Sequence, residues 1–223
     1  MRKFFLIAIL FLIIIPFVNS QNDSLYLPNT GIYASYMGSI VYPGFKIGIE
    51  RPYKITQVNI LKKKRTKTFY KERYLGFSLG MYYHPTFHTN FFLQSEWQIQ
   101  RQKSCGLYYG FAPGLGISRT FYDGATFRID DNGNILKVPL AGNFYGLASL
   151  SGTIGYNFAF KTETNLKVYL KPSVILMFPY NKIVYFRPTF EIGAVFNIAD
   201  FWKSNPKTKT KTKDRTKKSV KMD

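Results

Sequence analysis

Two histidines, His84 and His88, stand four residues apart on either side of Pro85. On a helix that spacing would aim both imidazoles at one metal ion. Here proline and the alternating residues around it read as a turn between strands, and no cysteine or carboxylate lies close in sequence to complete a ligand set. The pair is therefore expected at a structural rim, with no metal and no cofactor. The stretch "DDNGN", Asp130 to Asn134, carries oxygens of the kind calcium takes, but Ile135 fills the place that an EF-hand loop gives to glycine. It reads as a tight hairpin about Asn132-Gly133. Serines occur without a nucleophile elbow, and no glycine-rich segment opens a phosphate-binding helix. With no catalytic constellation in view, the chain is expected not to be an enzyme.

The elements that must position these residues are strands. In "YLGFSLGMYYHPTFHTNFFLQSEWQIQ", Leu75, Phe77, Leu79, Met81 and Tyr83 alternate with Tyr74, Gly76, Ser78, Gly80 and Tyr82. After the turn, Phe91, Leu93, Trp97 and Ile99 alternate with Gln94, Glu96, Gln98 and Gln100. This period of two marks β-strands with two unlike faces. The polar face is also the small face, rich in glycine, which a solvated surface has no use for and a narrow barrel lumen rewards. The opposite face is bulky and aromatic, with Tyr83, Phe91, Tyr156, Phe158, Phe178, Tyr180 and Tyr185 near strand ends, in the manner of aromatic girdles at a membrane. The face that begins at Tyr74 is expected to be the wet, lumenal one. Strands are predicted near 31 to 41, 44 to 60, 69 to 83, 87 to 100, 105 to 118, 144 to 158, 166 to 178 and 185 to 198. The first of these barely alternates. The fold class is all-β, an antiparallel up-and-down transmembrane β-barrel of about eight strands.

At eight strands a barrel interior is just filled by side chains, so an open channel is not expected. The lumenal parity carries a nearly balanced charge set, Lys46, Glu50, Glu96, Lys167, Lys171, Arg187 and Glu191. Buried charges must be paired, and an ionic plug is the expected outcome, with Lys171 and Glu191 within diagonal reach of each other.

The start, "MRKFFLIAILFLIIIPFVNSQND", places Arg2 and Lys3 before a short apolar run that Pro16 interrupts, the pattern of a secretory signal peptide over residues 1–20. The mature chain then divides into a barrel over 21–202 and a basic tail over 203–223. The net charge is +19. Much of it is clustered: Leu61 to Arg73 holds seven basic residues and one acid, including Lys62, Lys63, Lys64 and Arg65, and 203–223 holds nine basic residues and two acids. The tail is low in complexity and has no aromatics, so it is expected to be disordered. Export leaves nucleic acid out of its reach. Anionic headgroups or acidic polymers of the periplasm are the expected partners of the tail, and outer-membrane lipids those of the barrel. Cys105 has no second cysteine to pair with.

The segments "YYHPTFHTNFFLQSEW", "PGLGISRTFYDGATFRIDDNGNI" and "RPTFEIGAVFNI" resemble a family of small bacterial outer-membrane β-barrel proteins of the OmpA/OmpX-type architecture. The resemblance implies that architecture and a place in the cell outer membrane, and it implies no activity. The basic tail departs from barrels that end on an aromatic residue, whose equivalent here would be internal, around Phe196 to Phe201. The function expected is structural or surface-interacting. Three alternatives stand beside it: a soluble lipocalin-like ligand carrier with the faces reversed, a lipid-modifying enzyme of the outer membrane, and a narrow ion path.

Overall fold

The computed structural model describes residues 29–38, 42–62, 65–160, 162, 164–180, 183–198 and 206–214. The segment read as a signal peptide, Lys63, Lys64 and the tail outside 206–214 lie beyond these. Eight long strands carry the architecture: β1 (Gly31–Gly38), β2 (Pro43–Lys62), β3 (Arg65–His84), β4 (His88–Lys103), β5 (Leu107–Tyr122), β8 (Phe144–Asn157), β9 (Leu166–Tyr180) and β10 (Ile183–Asn197). Each pairs antiparallel with its neighbour, and β1 pairs with both β2 and β10, so the ring closes. Closure leaves these strands no free edge along their shared length, which is what a sheet in lipid requires. A small hairpin, β6 (Thr126–Ile129) and β7 (Ile135–Val138), stands in the long β5 to β8 connection. That connection marks one end of the barrel, the loop end; the start of β1 and the finish of β10 mark the other, the terminal end.

The two faces divide as the parity predicts. Tyr74, Ser78 and Tyr82 are buried, whereas Phe77 and Leu79 are about half exposed, with Leu115 and Phe186 more so. A contiguous apolar belt of this extent is foreign to the surface of a water-soluble monomer. The lipocalin-like alternative needs the aromatic face inside and is corrected: that face is outside, and the inside is charged. Among the girdle residues, Tyr83, Phe91 and Phe178 do point outward. Tyr185 does not. It shares the parity of the buried Arg187, Thr189 and Glu191, with no irregularity in the register between them, and stands opposite Met177 on the lumenal side.

The glycine face has a specific use. Four glycines stand directly across from aromatic rings on the next strand: Gly48 from Tyr33, Gly80 from Phe92, Gly155 from Tyr108 and Gly193 from Tyr169. A Cβ at Gly193 would come within 2.6 Å of the Tyr169 ring, and one at Gly48 equally close to Tyr33. Each ring thus lies flat over a strand that has no side chain there. Lumenal space is occupied by tyrosine as well as by small residues. This explains why β1 alternates cleanly in burial although its sequence does not: Tyr33 and Met37 face in while Ile32 and Tyr36 face out.

The tail departs from expectation. Lys207–Asp214 form a strand, β11, that runs parallel to β2 from Lys54 to Leu61. The β2 to β3 hairpin outruns its neighbours, since β1 covers β2 only as far as Glu50. A bulge between Pro52 and Lys54 then turns the strand and leaves a bare edge beyond it, the position that β11 covers.

Gly193→Val is expected to destabilise the barrel by about 1 to 3 kcal/mol through overpacking against Tyr169. Gly152, whose added Cβ would meet only Pro172 at 4.0 Å, should accept alanine within about 0.5 kcal/mol. Urea unfolding of both variants in lipid vesicles checks the contrast.

Candidate functional site

Eight charged side chains are buried in the lumen among the described residues, four cations and four carboxylates: Lys46, Lys167, Lys171 and Arg187 with Glu50, Glu72, Glu96 and Glu191. Lys46 Nζ lies 2.7 Å from Glu191 and 3.5 Å from Glu96, and Lys171 Nζ lies 2.5 Å from Glu96. Tyr169 donates its hydroxyl to Glu191 at 2.6 Å. Nearer the terminal end, Lys167 reaches Glu50 at 3.4 Å and donates to the Tyr74 hydroxyl at 3.0 Å, and Tyr74 donates onward to Glu72 at 2.7 Å. The ion pairs all join strands that are not neighbours in the ring. Lys171 and Glu191 are directly opposite in register, yet each takes its shortest ion pair from another strand.

Arg187 belongs to none of these ion pairs. Its guanidinium lies 3.5 Å over the Tyr82 ring, in a cation–π arrangement, beside a cavity of about 320 Å³ at the loop end. Tyr42, His84, Phe87, His88, Tyr122 and Tyr185 line the same cavity. His84 and His88 are directly opposed in register at the loop end, with ring centroids 5.3 Å apart. No group of three or more His, Cys, Asp or Glu side chains able to hold a metal occurs among the described residues. Tyr82, Tyr145 and Met177 of the lining belong to a buried apolar cluster that also holds Met37, Phe92, Leu147 and Ile175.

At the terminal end the cations fall on one face of the sheet. In register, Lys207, Lys209 and Lys211 continue the row of Lys54, Thr56 and Val58, which faces Arg73, Lys71 and Phe69, and these face Ile99, Arg101 and Lys103. Lys67 shares that side, the outward one that continues the apolar belt. Arg101 lies 3.8 Å over the Phe69 ring. The inward side of the same segment carries Thr208, Thr210, Gln57, Gln100 and Gln102 with the buried Glu72, and no cation. The KTKTKTK alternation thus has a meaning as a strand, with lysine on one face and threonine on the other. Lys62 and Arg65 pair at the end of the β2 to β3 hairpin.

No family model and no curated protein sequence matches the chain. Among solved structures it is similar to the beta domain of the Bordetella autotransporter Brka, at 12% identity and a TM-score of 0.26, over 76% of this chain and 98% of that one.

All seven lumenal residues read from the sequence are buried inside the ring. Glu72 is the omission. It sits within a basic run, and its parity with Tyr74, Gly76 and Ser78 was the signal that could have found it. In the outer hairpin, Asp130 receives hydrogen bonds from the backbone of Asn132 at 2.9 Å and of Asn134 at 2.8 Å, and Gly133 takes φ +83° to close the loop. This is a five-residue loop between Ile129 and Ile135 instead of a two-residue turn.

Two outcomes follow. Glu96→Gln strips Lys171 of its counter-charge and leaves Lys46 with one of two, and should cost about 3 to 5 kcal/mol in vesicle unfolding, with much of it restored by adding Lys171→Met. The bonds from Asn134 and Asn132 hold the Asp130 carboxyl below the ordinary aspartate range. The support it lends the hairpin is therefore complete above the unfolded-state value and lost as pH falls through the lower folded value. The Asn132 and Asn134 amide resonances should titrate below the ordinary aspartate range, and do so no longer in Asp130→Asn.

Proposed function

We propose that the chain is an outer-membrane β-barrel of the OmpA/OmpX-type architecture that acts through its surfaces, as a structural or surface-interaction protein without turnover and without a pore. The observation that carries this reading is the cross-lumen ion-pair cluster of Lys46, Glu96, Lys171 and Glu191. Moving an ion through it would require breaking pairs that are almost fully buried, at several kcal/mol each. Outer-membrane lipids cover the apolar belt. The terminal end faces the periplasm and the β5 to β8 connection faces outward. The outward row of lysine and arginine beside the belt then meets the inner leaflet, where acidic headgroups, or acidic periplasmic polymers, contribute about 1 kcal/mol per cation near the surface. Nucleic acid is not a partner.

In planar bilayers the purified protein should give no stable single-channel steps. Trypsin added to intact cells should cut within 123–137 and spare β11. Steps of porin size, or loss of β11 from sealed cells, contradict the reading of the lumen and of the orientation respectively. A phospholipid-modification assay on the refolded protein should show no product.

A further inference from the structure

The lumenal charges balance in number but not in place. Lys46 and Lys171 share Glu96 and Glu191, and Lys167 serves Glu50 directly and Glu72 through Tyr74. That leaves one positive charge over at Arg187 and one negative charge over around Glu72. They cannot meet. Arg187 rests on Tyr82, and Tyr82 lies ten residues along β3 from Glu72, about 33 Å at the ordinary rise of about 3.3 Å per residue. Arg187 is nearly inaccessible to solvent, and its Nε and Nη1 are buried with no hydrogen-bond partner. Such donors are costly to leave unmet. The groups around them are the hydroxyls and rings of Tyr42, Tyr82 and Tyr185, with no carboxylate in ion-pair range among the described residues. Asp123, at the rim, is near enough to act on His88.

We infer that the loop-end cavity is a binding site for a small water-soluble oxyanion, a carboxylate or a phosphate on a ring, with Arg187 as its charge partner. An anionic oxygen accepts charge-assisted hydrogen bonds from a guanidinium, and would meet a donor that the protein leaves without a partner. The cavity of about 320 Å³ accommodates one ring with its anionic substituent. Its walls of Tyr42, Phe87, Tyr122 and Tyr185 offer faces on which a sugar or aromatic ring can stack, and His84 and His88 offer donors at the rim. The site opens at the loop end of the lumen and not onto the lipid-facing belt, so its ligand comes from water instead of from the bilayer. This inference rests on reading the barrel as a surface-interaction protein, but conductance and orientation are measured apart from it, so it can fail while that reading stands.

The test uses the full refolded protein in lipid nanodiscs, titrated with glucose 1-phosphate, glucuronate, inorganic phosphate and, as the uncharged control, glucose. The imidazole resonances of His84 and His88 are the readout. Saturable shifts with glucose 1-phosphate or glucuronate, weaker with inorganic phosphate and absent with glucose, are expected. Arg187→Gln should abolish them, and Arg187→Lys should weaken the affinity at least tenfold while keeping the heat-modifiable gel mobility of the folded barrel. Because a buried arginine is replaced, a third variant, Tyr185→Ala, removes a ring at the cavity wall and should weaken the ring-bearing anions more than inorganic phosphate. No saturable shift with any anion in the unmodified protein overturns the inference, as does equal binding in a folded Arg187→Gln.

Discussion

Eight strands enclose only as much space as side chains can fill, and every lumenal group must therefore find its partner across the ring. The Lys46, Glu96, Lys171 and Glu191 cluster is the clearest consequence. It ties β2, β4, β9 and β10 together through the interior, while the ladders tie each strand only to its neighbours. The same shortage of space makes the glycines necessary. Tyr33, Phe92, Tyr108 and Tyr169 can lie across the lumen only because Gly48, Gly80, Gly155 and Gly193 offer bare backbone opposite them.

Charge is sorted by the same geometry. Inside, it is confined and ion-paired except at Arg187 and Glu72; outside, Arg51 and Arg119 stand at the edges of the apolar belt; beyond the belt, at the terminal end, the cations collect on the outward face while the inward one carries Glu72 among threonine, glutamine and asparagine. β11 extends that sorting past the barrel proper, because a strand of alternating lysine and threonine has one face for each side. A barrel with a quiet interior is thereby given two distinct ends, one broadly basic and one with a single buried cation beside an aromatic hollow.

Much of this was legible in the sequence, because parity is local. Leu75, Phe77 and Leu79 against Gly76, Ser78 and Gly80 announce the two faces without reference to any other strand, and the same parity collects the seven charges of the lumen. What parity cannot say is which charges meet. The partner of Lys171 is Glu96, 75 residues away in the chain, and only ring closure brings them together. A bulge hides more: the one at Pro52 to Lys54 reverses the faces of β2. Tyr185 was readable, since it shares the parity of Arg187 and so belongs to the lumen and not to the girdle. Glu72 was masked by the cations beside it. The tail looked disordered because its composition lacks anything to bury; its pairing with β2 comes from the backbone edge alone, which composition does not record.

The central claim is that odd residues of β3 meet lipid and even ones a filled lumen. Spin labels placed singly at positions 75 to 82 in a Cys105→Ser background, in nanodiscs, measure it through collision with oxygen, which partitions into lipid, and with a water-soluble nickel chelate. Labels at 75, 77, 79 and 81 should collide with oxygen, and those at 76, 78 and 80 with neither reagent. Free access of the nickel chelate to the even positions would mean an open, water-filled lumen, and loss of the two-residue period would mean that this strand does not line a barrel.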